Sequence, residues 1–227
     1  MPAILPEDLS DFAWIARSDR PLIVCDVDEV ALEFVSPFIA YLEANGMELR
    51  PTSFRLHGNV FSRESGAVVE RERVAQTIQS FFTEQDRWQR PVTDAAESLA
   101  ALEEHADIVF MTAMPPVHFA TRRSLLDAHG MPYPMIATED AKGTVLHLIH
   151  GDRQTPVVFI DDIFTNLHSV RDKLPNALLV HLMANRQFRA LAPHPGDNVA
   201  TPADWREARD IIRAFLDEGR DDSGGPT

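Results

Sequence analysis

The chain is poor in cysteine and has no long apolar run. Its 227 residues include one cysteine, Cys25, so no disulfide can form within the chain. Because Cys25 stands inside an apolar run, we interpret it as a small core residue. No apolar run approaches the length that crosses a bilayer, and the first residues lack a basic segment followed by an apolar stretch. We therefore expect a cytoplasmic protein that does not enter a membrane.

Basic residues are also scarce. The 21 Lys and Arg residues stand against 35 Asp and Glu, which gives a formal net charge of −14. Nucleic acids and anionic membranes bind to basic surfaces, so neither is expected as a partner. An anionic small substrate remains compatible with this charge, because a bound metal ion can reverse the field inside a site. The length allows one good-sized core, or a core with a smaller module.

Two acids follow the first apolar run of the chain. Leu22 to Cys25 is a run of β-formers without alternation, which is typical of a central strand buried on both faces. Asp26 and Asp28 come directly after it, at the end of the strand where open α/β sheets bind ligands. Capping of the next helix explains one carboxylate better than two. We interpret Asp26 and Asp28 as functional groups.

Helices and strands are predicted to alternate after residue 91. The apolar pattern predicts strands at 107–111, 135–137, 156–160 and 177–182, and helices at 93–104, 117–129, 141–150, 164–173 and 202–216. Thr93 and Thr201 are the expected caps of the first and last helices. This alternation predicts an α/β fold, a doubly wound and mainly parallel Rossmann-like sheet with helices on both faces. Right-handed crossovers then place the carboxyl ends of all strands at one edge.

Residues 33–91 do not follow this alternation. Helical patterns at 31–44 and 70–87 enclose a segment in which apolar residues are scattered among Gly, Ser, Asn and Arg. The block is too long for a plain connection. We predict a small inserted domain at 33–91 within a core formed by 1–32 and 92–218. The polar composition of 219–227 predicts a disordered tail.

Further polar residues follow the other predicted strands. Thr112 follows the predicted strand at 107–111, Lys142 stands near the start of the helix after 135–137, and Asp161 and Asp162 follow 156–160. Converging carboxylates repel each other unless a cation intervenes, and Mg²⁺ is the hard cation that we expect among oxygen ligands. Lys and Thr side chains suit a phosphoryl group.

The first acid pair suits a two-step phosphoryl transfer. As a nucleophile, Asp26 could form an aspartyl-phosphate, which divides hydrolysis into two displacements. Asp28 could protonate the leaving alkoxide and then deprotonate the attacking water.

With these residues the chain resembles the haloacid dehalogenase-like (HAD) superfamily, and specifically its phosphatases. The motifs stand in order as VCDVDEV at 24–30, VFMT at 109–112, DAKG at 140–143 and VFIDD at 158–162. One short motif is weak, but four in order on predicted strand ends are specific. Glu29 stands where the family often has Gly. The superfamily's dehalogenases lack an acid at the position of Asp28 and its ATPases carry Thr there, so the likeness is to a phosphatase or, less often, a phosphomutase.

The resemblance implies a role for each motif residue. Asp26 would be the nucleophile and a metal ligand, and Asp28 the general acid and base, with its backbone carbonyl on the metal. Thr112 would bind the transferring phosphoryl group and Lys142 would stabilise its charge. Asp162 would ligate the metal directly, with Asp161 in support.

The insert occupies the position at which the superfamily places a cap of the first class. Such a cap would close over the site and select a small phosphorylated substrate. Its polar groups Arg55, His57, Asn59 and Arg63 could reach that substrate, and solvated loop residues are the equally good alternative for each. Lys142-Gly143-Thr144 resembles the end of a P-loop but lacks the upstream glycine. His147 and His150 lack a third metal ligand in register.

Three alternatives to a phosphatase remain on the sequence alone. Phosphomutase activity or another phosphoryl transfer would use the same residues. A receiver-type signalling domain also combines acids, Thr and Lys, but its acidic pair comes first and its phospho-acceptor later. A non-catalytic HAD-like binding protein would not need all of these side chains. The oligomeric state stays open, because the outer helix faces show no decisive apolar stripe.

Overall fold

A six-stranded parallel sheet forms the centre of the structure, a computed structural model that describes residues 7–221. The strands in chain order are β1 (Leu22–Cys25), β2 (Met47–Leu49), β3 (Val60–Ser62), β4 (Asp107–Thr112), β5 (Met135–Ala137), β6 (Val157–Asp161), β7 (Leu178–His181) and β8 (Val199–Ala200). The main sheet has the order β5-β4-β1-β6-β7-β8, and β2 and β3 form a separate antiparallel pair.

Nine α-helices connect the strands within the described range. They are α1 (Val35–Ala44), α2 (Arg71–Thr83), α3 (Gln85–Trp88), α4 (Ala95–Glu103), α5 (Phe119–Ala128), α6 (Lys142–His150), α7 (Phe164–Lys173), α8 (Arg186–Arg189) and α9 (Trp205–Asp221). Short 3-10 helices cover Glu7–Phe12, Ile15–Arg17 and Pro116–His118. None of the helices described is long and apolar enough to cross a membrane.

Strand β1 lies at the centre because it is apolar on both faces and paired on both edges. Leu22 pairs with Asp107 of β4 and with Val157 of β6, and the whole strand is buried. Leu22 and Val24 join one apolar cluster with α6 and α7. Ile23 and Cys25 join the other with α4, α5 and α9. Helices therefore cover both faces, which confirms the predicted doubly wound sheet.

Residues 33–91 leave and rejoin the core side by side. Leu32 forms an antiparallel bridge with Pro91, and the backbone N–H of Glu33 donates to the carbonyl of Arg90 at 2.8 Å. Between these crossings lie α1, the β2–β3 hairpin, α2 and α3, around an apolar cluster of their own. From the core, Met114 belongs to that cluster, so the insert packs on the carboxyl edge of the sheet. The division of the chain into a core and an inserted domain at 33–91 stays a prediction.

The two predicted helix caps are wrong. Helix α4 begins behind Asp94, which has a φ of 63° and pairs with Arg206 at 2.9 Å. At α9, Oδ1 of Asp204 accepts the backbone N–H groups of Arg206 and Glu207 at 3.0 and 3.1 Å. In both places an acid stands shortly after the threonine, and carboxylates suit the positive end of a helix.

The predicted tail begins too early. Helix α9 continues to Asp221, so residues 219–221 are helical, and 222–227 lie outside the described range. Gly219 does not end the helix but allows α9 to approach Pro156, whose Cγ would be 2.8 Å from an added Cβ. Strand β8 has no sequence signal, because two residues are too few to show a period.

Candidate active site

Four of the predicted side chains meet at the carboxyl edge of the sheet. Asp26 follows β1, Asp161 ends β6, Asp162 follows it, and Lys142 opens α6. One carboxylate oxygen from each aspartate lies within 4.8 Å of the others, and all three residues are buried. The topology explains the meeting, because β1 and β6 are hydrogen-bonded neighbours and end at the same level.

Lys142 links two of these acids. Its Nζ lies 2.7 Å from Oδ1 of Asp26 and 2.7 Å from Oδ2 of Asp161, and its side chain is 2% exposed. Burial opposes the charge of this lysine, but the carboxylates of Asp161 and Asp26 outweigh it and raise the pKa of Lys142. The site therefore holds one fixed positive charge within a group of acids.

Asp161 is fully occupied by hydrogen-bond donors. Its Oδ1 accepts the backbone N–H of Ile163 at 2.8 Å and the Asn166 amide at 3.1 Å. Its Oδ2 accepts Lys142 and, at 3.2 Å, the same amide. Three donor groups make four contacts, which use the acceptor capacity of a carboxylate. In this arrangement Asp161 orients Lys142.

Lys142 alone does not balance the negative charges of the buried Asp26 and Asp162. Burial is the main cause that raises the pKa of Asp26 to about 7, and the neighbouring Asp161 and Asp28 add to it while Lys142 opposes it. Burial also raises the pKa of Asp162 well above its usual range, together with Asp161 and Asp26. Two buried carboxylates that lack sufficient positive charge suit a hard divalent cation, so these residues fit Mg²⁺.

Asp28 is bound by an arginine that the sequence analysis did not single out. Nη1 of Arg122 donates to Oδ2 of Asp28 at 3.0 Å, and Nη2 donates to Oδ1 at 2.9 Å. The Gln89 amide donates to the same Oδ1 at 2.9 Å. The Arg122 side chain is completely buried, and its Nε donates to Oε1 of Gln85. The network joins the loop after β1, helix α5 and the end of the insert.

A sequence signal for Arg122 exists in hindsight. Leu125 and Leu126 follow it at helical spacing, and all three form the buried face of α5. An arginine on an apolar helix face requires a buried partner. The sequence does not say that this partner is Asp28.

Glu29 holds the backbone of the first motif in an uncommon conformation. Its φ of 66° lies in the left-handed region, where glycine is usual. The carboxylate offsets this strain by accepting the backbone N–H groups of Val35, Asn185 and Phe34 at 2.6, 2.8 and 3.1 Å. Burial raises its pKa. Glu29 thus joins the start of α1 to the segment after β7 and holds the loop that carries Asp28.

Thr112 is completely buried at the end of β4. Its Oγ1 accepts the backbone N–H of Met114 at 3.2 Å, and Ala113 and Met114 line the cavity over the acids. Thr112 is absent from the described residues that line it. Contact between Thr112 and a phosphoryl group stays a prediction.

That cavity, of about 260 Å³, lies between the insert and the core. Asp26, Asp28, Lys142 and Asp162 contribute to its lining. The remaining lining residues are largely apolar and come from both parts of the chain: Phe34, Val35, Phe54, Leu56, Phe82, Ala113, Met114, Ile163, Met183 and Phe188.

The four insert residues predicted to bind substrate separate into different places. Arg55 lines the cavity, and His57 lines a neighbouring groove that also includes Arg55. Asn59 is buried, donates to the carbonyl of Arg55 at 2.7 Å and accepts from Thr52 at 2.8 Å, so it organises the loop. Arg63 is exposed and does not belong to the described lining of either space.

Comparison with known proteins gives likeness in structure alone. No family model and no curated protein sequence matches the chain. A HAD family hydrolase from Deinococcus radiodurans R1, solved with bound phosphate and sodium, has a TM-score of 0.57 at 14% identity over 88% of this chain and 98% of that chain.

Two further solved structures have different printed activities. A putative beta-phosphoglucomutase from Thermotoga maritima has a TM-score of 0.54 at 14% identity, over 86% of this chain and 99% of that chain. The L-2-haloacid dehalogenase from Xanthobacter autotrophicus has a TM-score of 0.57 at 12% identity, over 86% and 98%. Identities this low establish the architecture but no activity. The chain has the haloacid dehalogenase-like fold, as its four motifs predict.

Proposed function

We propose that this protein is a Mg²⁺-dependent phosphohydrolase that acts on a small phosphorylated metabolite through an aspartyl-phosphate on Asp26. The observation that carries the proposal is the arrangement of Asp26, Lys142 and Asp162 around one buried point, with Asp28 two residues from the nucleophile. The bound phosphate in the Deinococcus radiodurans structure, which shares the fold, agrees with it.

In the first step Asp26 attacks phosphorus. Lys142 holds Oδ1 of Asp26, which leaves Oδ2 for the attack. The bond from phosphorus to the leaving oxygen breaks, and Asp28 gives that oxygen a proton. A magnesium ion held by Asp26 and Asp162 would neutralise charge on the phosphoryl oxygens. The hydrogen bonds that occupy Asp161 favour Asp162 as the direct ligand.

In the second step Asp28 takes a proton from water. The oxygen of that water attacks phosphorus, and the bond from phosphorus to Asp26 breaks, which releases inorganic phosphate and restores the free carboxylate. The insert covers the site with apolar side chains, and we assign to it the exclusion of other water. Arg122 acts through Asp28 as a positioning residue.

A dehalogenase is the second candidate, because the apolar walls of the cavity suit a haloalkanoate as well. In that reaction Asp26 would displace halide, which leaves without a proton. The Asp28–Arg122 pair would then have no part in the chemistry. Phosphomutase activity would use the phosphatase residues with an alcohol in place of water.

The test is turnover of p-nitrophenyl phosphate and of a panel of metabolite phosphates, with and without Mg²⁺. We expect Mg²⁺-dependent release of phosphate, and a loss of about 10³-fold or more in Asp26→Asn. Asp140→Asn, an exposed acid in the third motif, is the matched control and should retain wild-type turnover. Halide release from 2-halopropionate without phosphate release would favour the second candidate. Unchanged turnover in Asp26→Asn would refute the mechanism.

A further inference from the structure

The cavity over the acids offers few polar side chains for hydrogen bonding. The polar side chains of its described lining, apart from the three aspartates and Lys142, are Glu29, Arg55 and Asn166. Glu29 is committed to three backbone N–H groups, and the Asn166 amide nitrogen is committed to Asp161. Of these three side chains, only the Arg55 guanidinium and the Asn166 amide oxygen are left for a substrate.

The apolar lining is rich in aromatic rings. Phe34 and Phe82 lie with their ring centroids 5.9 Å apart. Phe54 of the insert and Phe188 of α8 in the core lie 6.3 Å apart, so this second pair spans the boundary between the two parts. Flat apolar groups pack well against such rings.

A polyhydroxylated substrate body would lose its hydration in this space without regaining hydrogen bonds. Each buried hydroxyl without a partner lowers affinity, and a hexose carries several. An apolar body gains from the same burial. The cavity thus discriminates between classes of phosphate ester by the alcohol, not by the phosphate.

The volume sets the size of that alcohol. Apolar cavities of roughly 150 Å³ bind benzene, and this one measures about 260 Å³. A phosphoryl group with one ring fits in this volume.

We infer that the substrate is a phosphate monoester of a compact apolar alcohol, with a single aromatic ring as the best fit. This inference rests on the proposed phosphohydrolase function and specifies its substrate class. Phe54, Leu56 and Phe188 set the specificity, and Asp26 and Asp28 perform the chemistry.

Benzyl phosphate and glucose 6-phosphate make the direct comparison. Both are esters of primary alcohols, so the leaving groups differ little in reactivity and the ratio of kcat/KM reports recognition. We expect benzyl phosphate to be preferred by about 100-fold or more. A glucose 6-phosphate value equal to or above that of benzyl phosphate overturns the inference.

Variants of the cavity wall test which residues are responsible. Phe54→Ala should lower kcat/KM for benzyl phosphate about 10-fold while changing that for ethyl phosphate less than 2-fold, because ethyl phosphate has no ring. Phe61→Ala is the control, since Phe61 is a half-buried ring of the same insert that lies outside the described cavity lining. Leu56→Gln, which adds an amide, should shift the ratio towards glucose 6-phosphate. Equal effects of Phe54→Ala on benzyl and ethyl phosphate contradict the inference.

The two proposals fail in different ways. Asp26-dependent hydrolysis that prefers sugar phosphates overturns the substrate class and leaves the phosphohydrolase standing. No hydrolysis of any phosphate monoester in the presence of Mg²⁺ overturns both.

Discussion

Asp28 is fixed in its orientation by a side chain that solvent does not reach. Oδ1 receives two donors, from Arg122 and Gln89, and Oδ2 receives one, from Arg122. A carboxylate oxygen accepts about two hydrogen bonds, so Oδ2 keeps one position open. The planar fork of an arginine fixes a carboxylate in two directions at once. In the proposed mechanism, Arg122 would therefore determine which oxygen of Asp28 exchanges a proton with the substrate.

Replacing Arg122 should make the reaction more dependent on the leaving group. With Arg122→Lys the charge is kept but the fork is lost, so proton donation by Asp28 is misplaced. We expect kcat/KM to fall about 100-fold for alkyl phosphates and less than 10-fold for p-nitrophenyl phosphate, whose leaving group needs no proton. The measurement is kcat/KM across a series of esters, because this constant reports the step that expels the alcohol.

The control for Arg122→Lys is Arg123→Gln, the next residue of the same helix. Arg123 contacts Asp127 and the carbonyl groups of Met131 and Tyr133, away from the site. It should leave the leaving-group dependence unchanged. In an Asp28→Asn background, Arg122→Lys should add no further dependence. A uniform loss for all esters in Arg122→Lys would mean a structural role alone.

At the scale of residues, the sequence identifies site residues that lie at the end of a predicted strand or at a regular position of a helix. Asp26, Lys142 and Asp162 were identifiable because parallel strands bring their ends to one edge. The pairing of Arg122 with Asp28 was not, because the two residues are 94 positions apart and helix periodicity reports only that a face is buried. Asn59 was placed among the binding groups by its polarity, whereas its hydrogen bonds serve its own loop.

At the scale of elements, helices α6 and α7 touch at a glycine. A Cβ on Gly143 would lie 2.0 Å from the backbone oxygen of Ser169, and the Gly143 N–H donates to Oγ of that serine at 3.1 Å. Lys142 precedes this contact, and Asn166 stands one turn before Ser169. The close approach therefore positions the lysine and the amide that meet at Asp161. Gly143, which belongs to the Lys142-Gly143-Thr144 sequence that resembles the end of a P-loop, is therefore a packing residue.

Gly143→Ala should separate the two helices and destabilise the protein. A methyl group cannot be accommodated against backbone at this distance, so we expect a loss of about 3 kcal/mol in the free energy of unfolding. Chemical denaturation measures it. Thr144→Ala, at an exposed position of the same helix, should change stability by less than about 0.5 kcal/mol. A stable Gly143→Ala protein would show that α6 and α7 can shift apart without cost.

Element boundaries were predicted within a few residues where the apolar period is long. The exceptions have tertiary causes. Asp94 of α4 pairs with Arg206 of α9, and Gly219 packs on Pro156 instead of ending its helix. Neither contact is visible in a local window of sequence.

At the scale of the whole molecule, buried histidines couple stability to pH. His150 is 4% exposed on α6. Burial, with the Arg153 charge nearby, lowers its pKa from the ordinary value of 6.5. The unfolded chain then takes up a proton more readily than the folded one. The resulting stability is fully present above pH 6.5 and is lost as the pH falls.

The pH dependence of unfolding should therefore change in His150→Gln. Between pH 7 and pH 5 the wild type should lose stability relative to the variant, with a slope of up to about 1.4 kcal/mol per pH unit. Denaturant unfolding at several pH values measures the difference. His147→Gln, exposed on the same helix, should keep the wild-type slope. Parallel pH profiles of wild type and His150→Gln would contradict the prediction.

The global fold was predictable because it depends on pattern more than on identity. Solved structures at 12–14% identity share it over most of both chains. Apolar strand segments that alternate with apolar helix segments specify a doubly wound sheet, and many different apolar side chains can form these segments. The lining of the cavity was not predictable, because it combines residues such as Phe54 and Phe188 that only the docking of the insert brings together.

The paired crossings at Leu32–Pro91 and Glu33–Arg90 have a consequence for how such proteins diversify. Because the insert starts and finishes at neighbouring points, a module of another length or shape can be exchanged there without stretching the core. An exchanged module would have to keep Gln85 and Gln89, because these two residues of the insert bind Arg122 and Asp28. A chimaera that exchanges this module should therefore be joined at these two crossings.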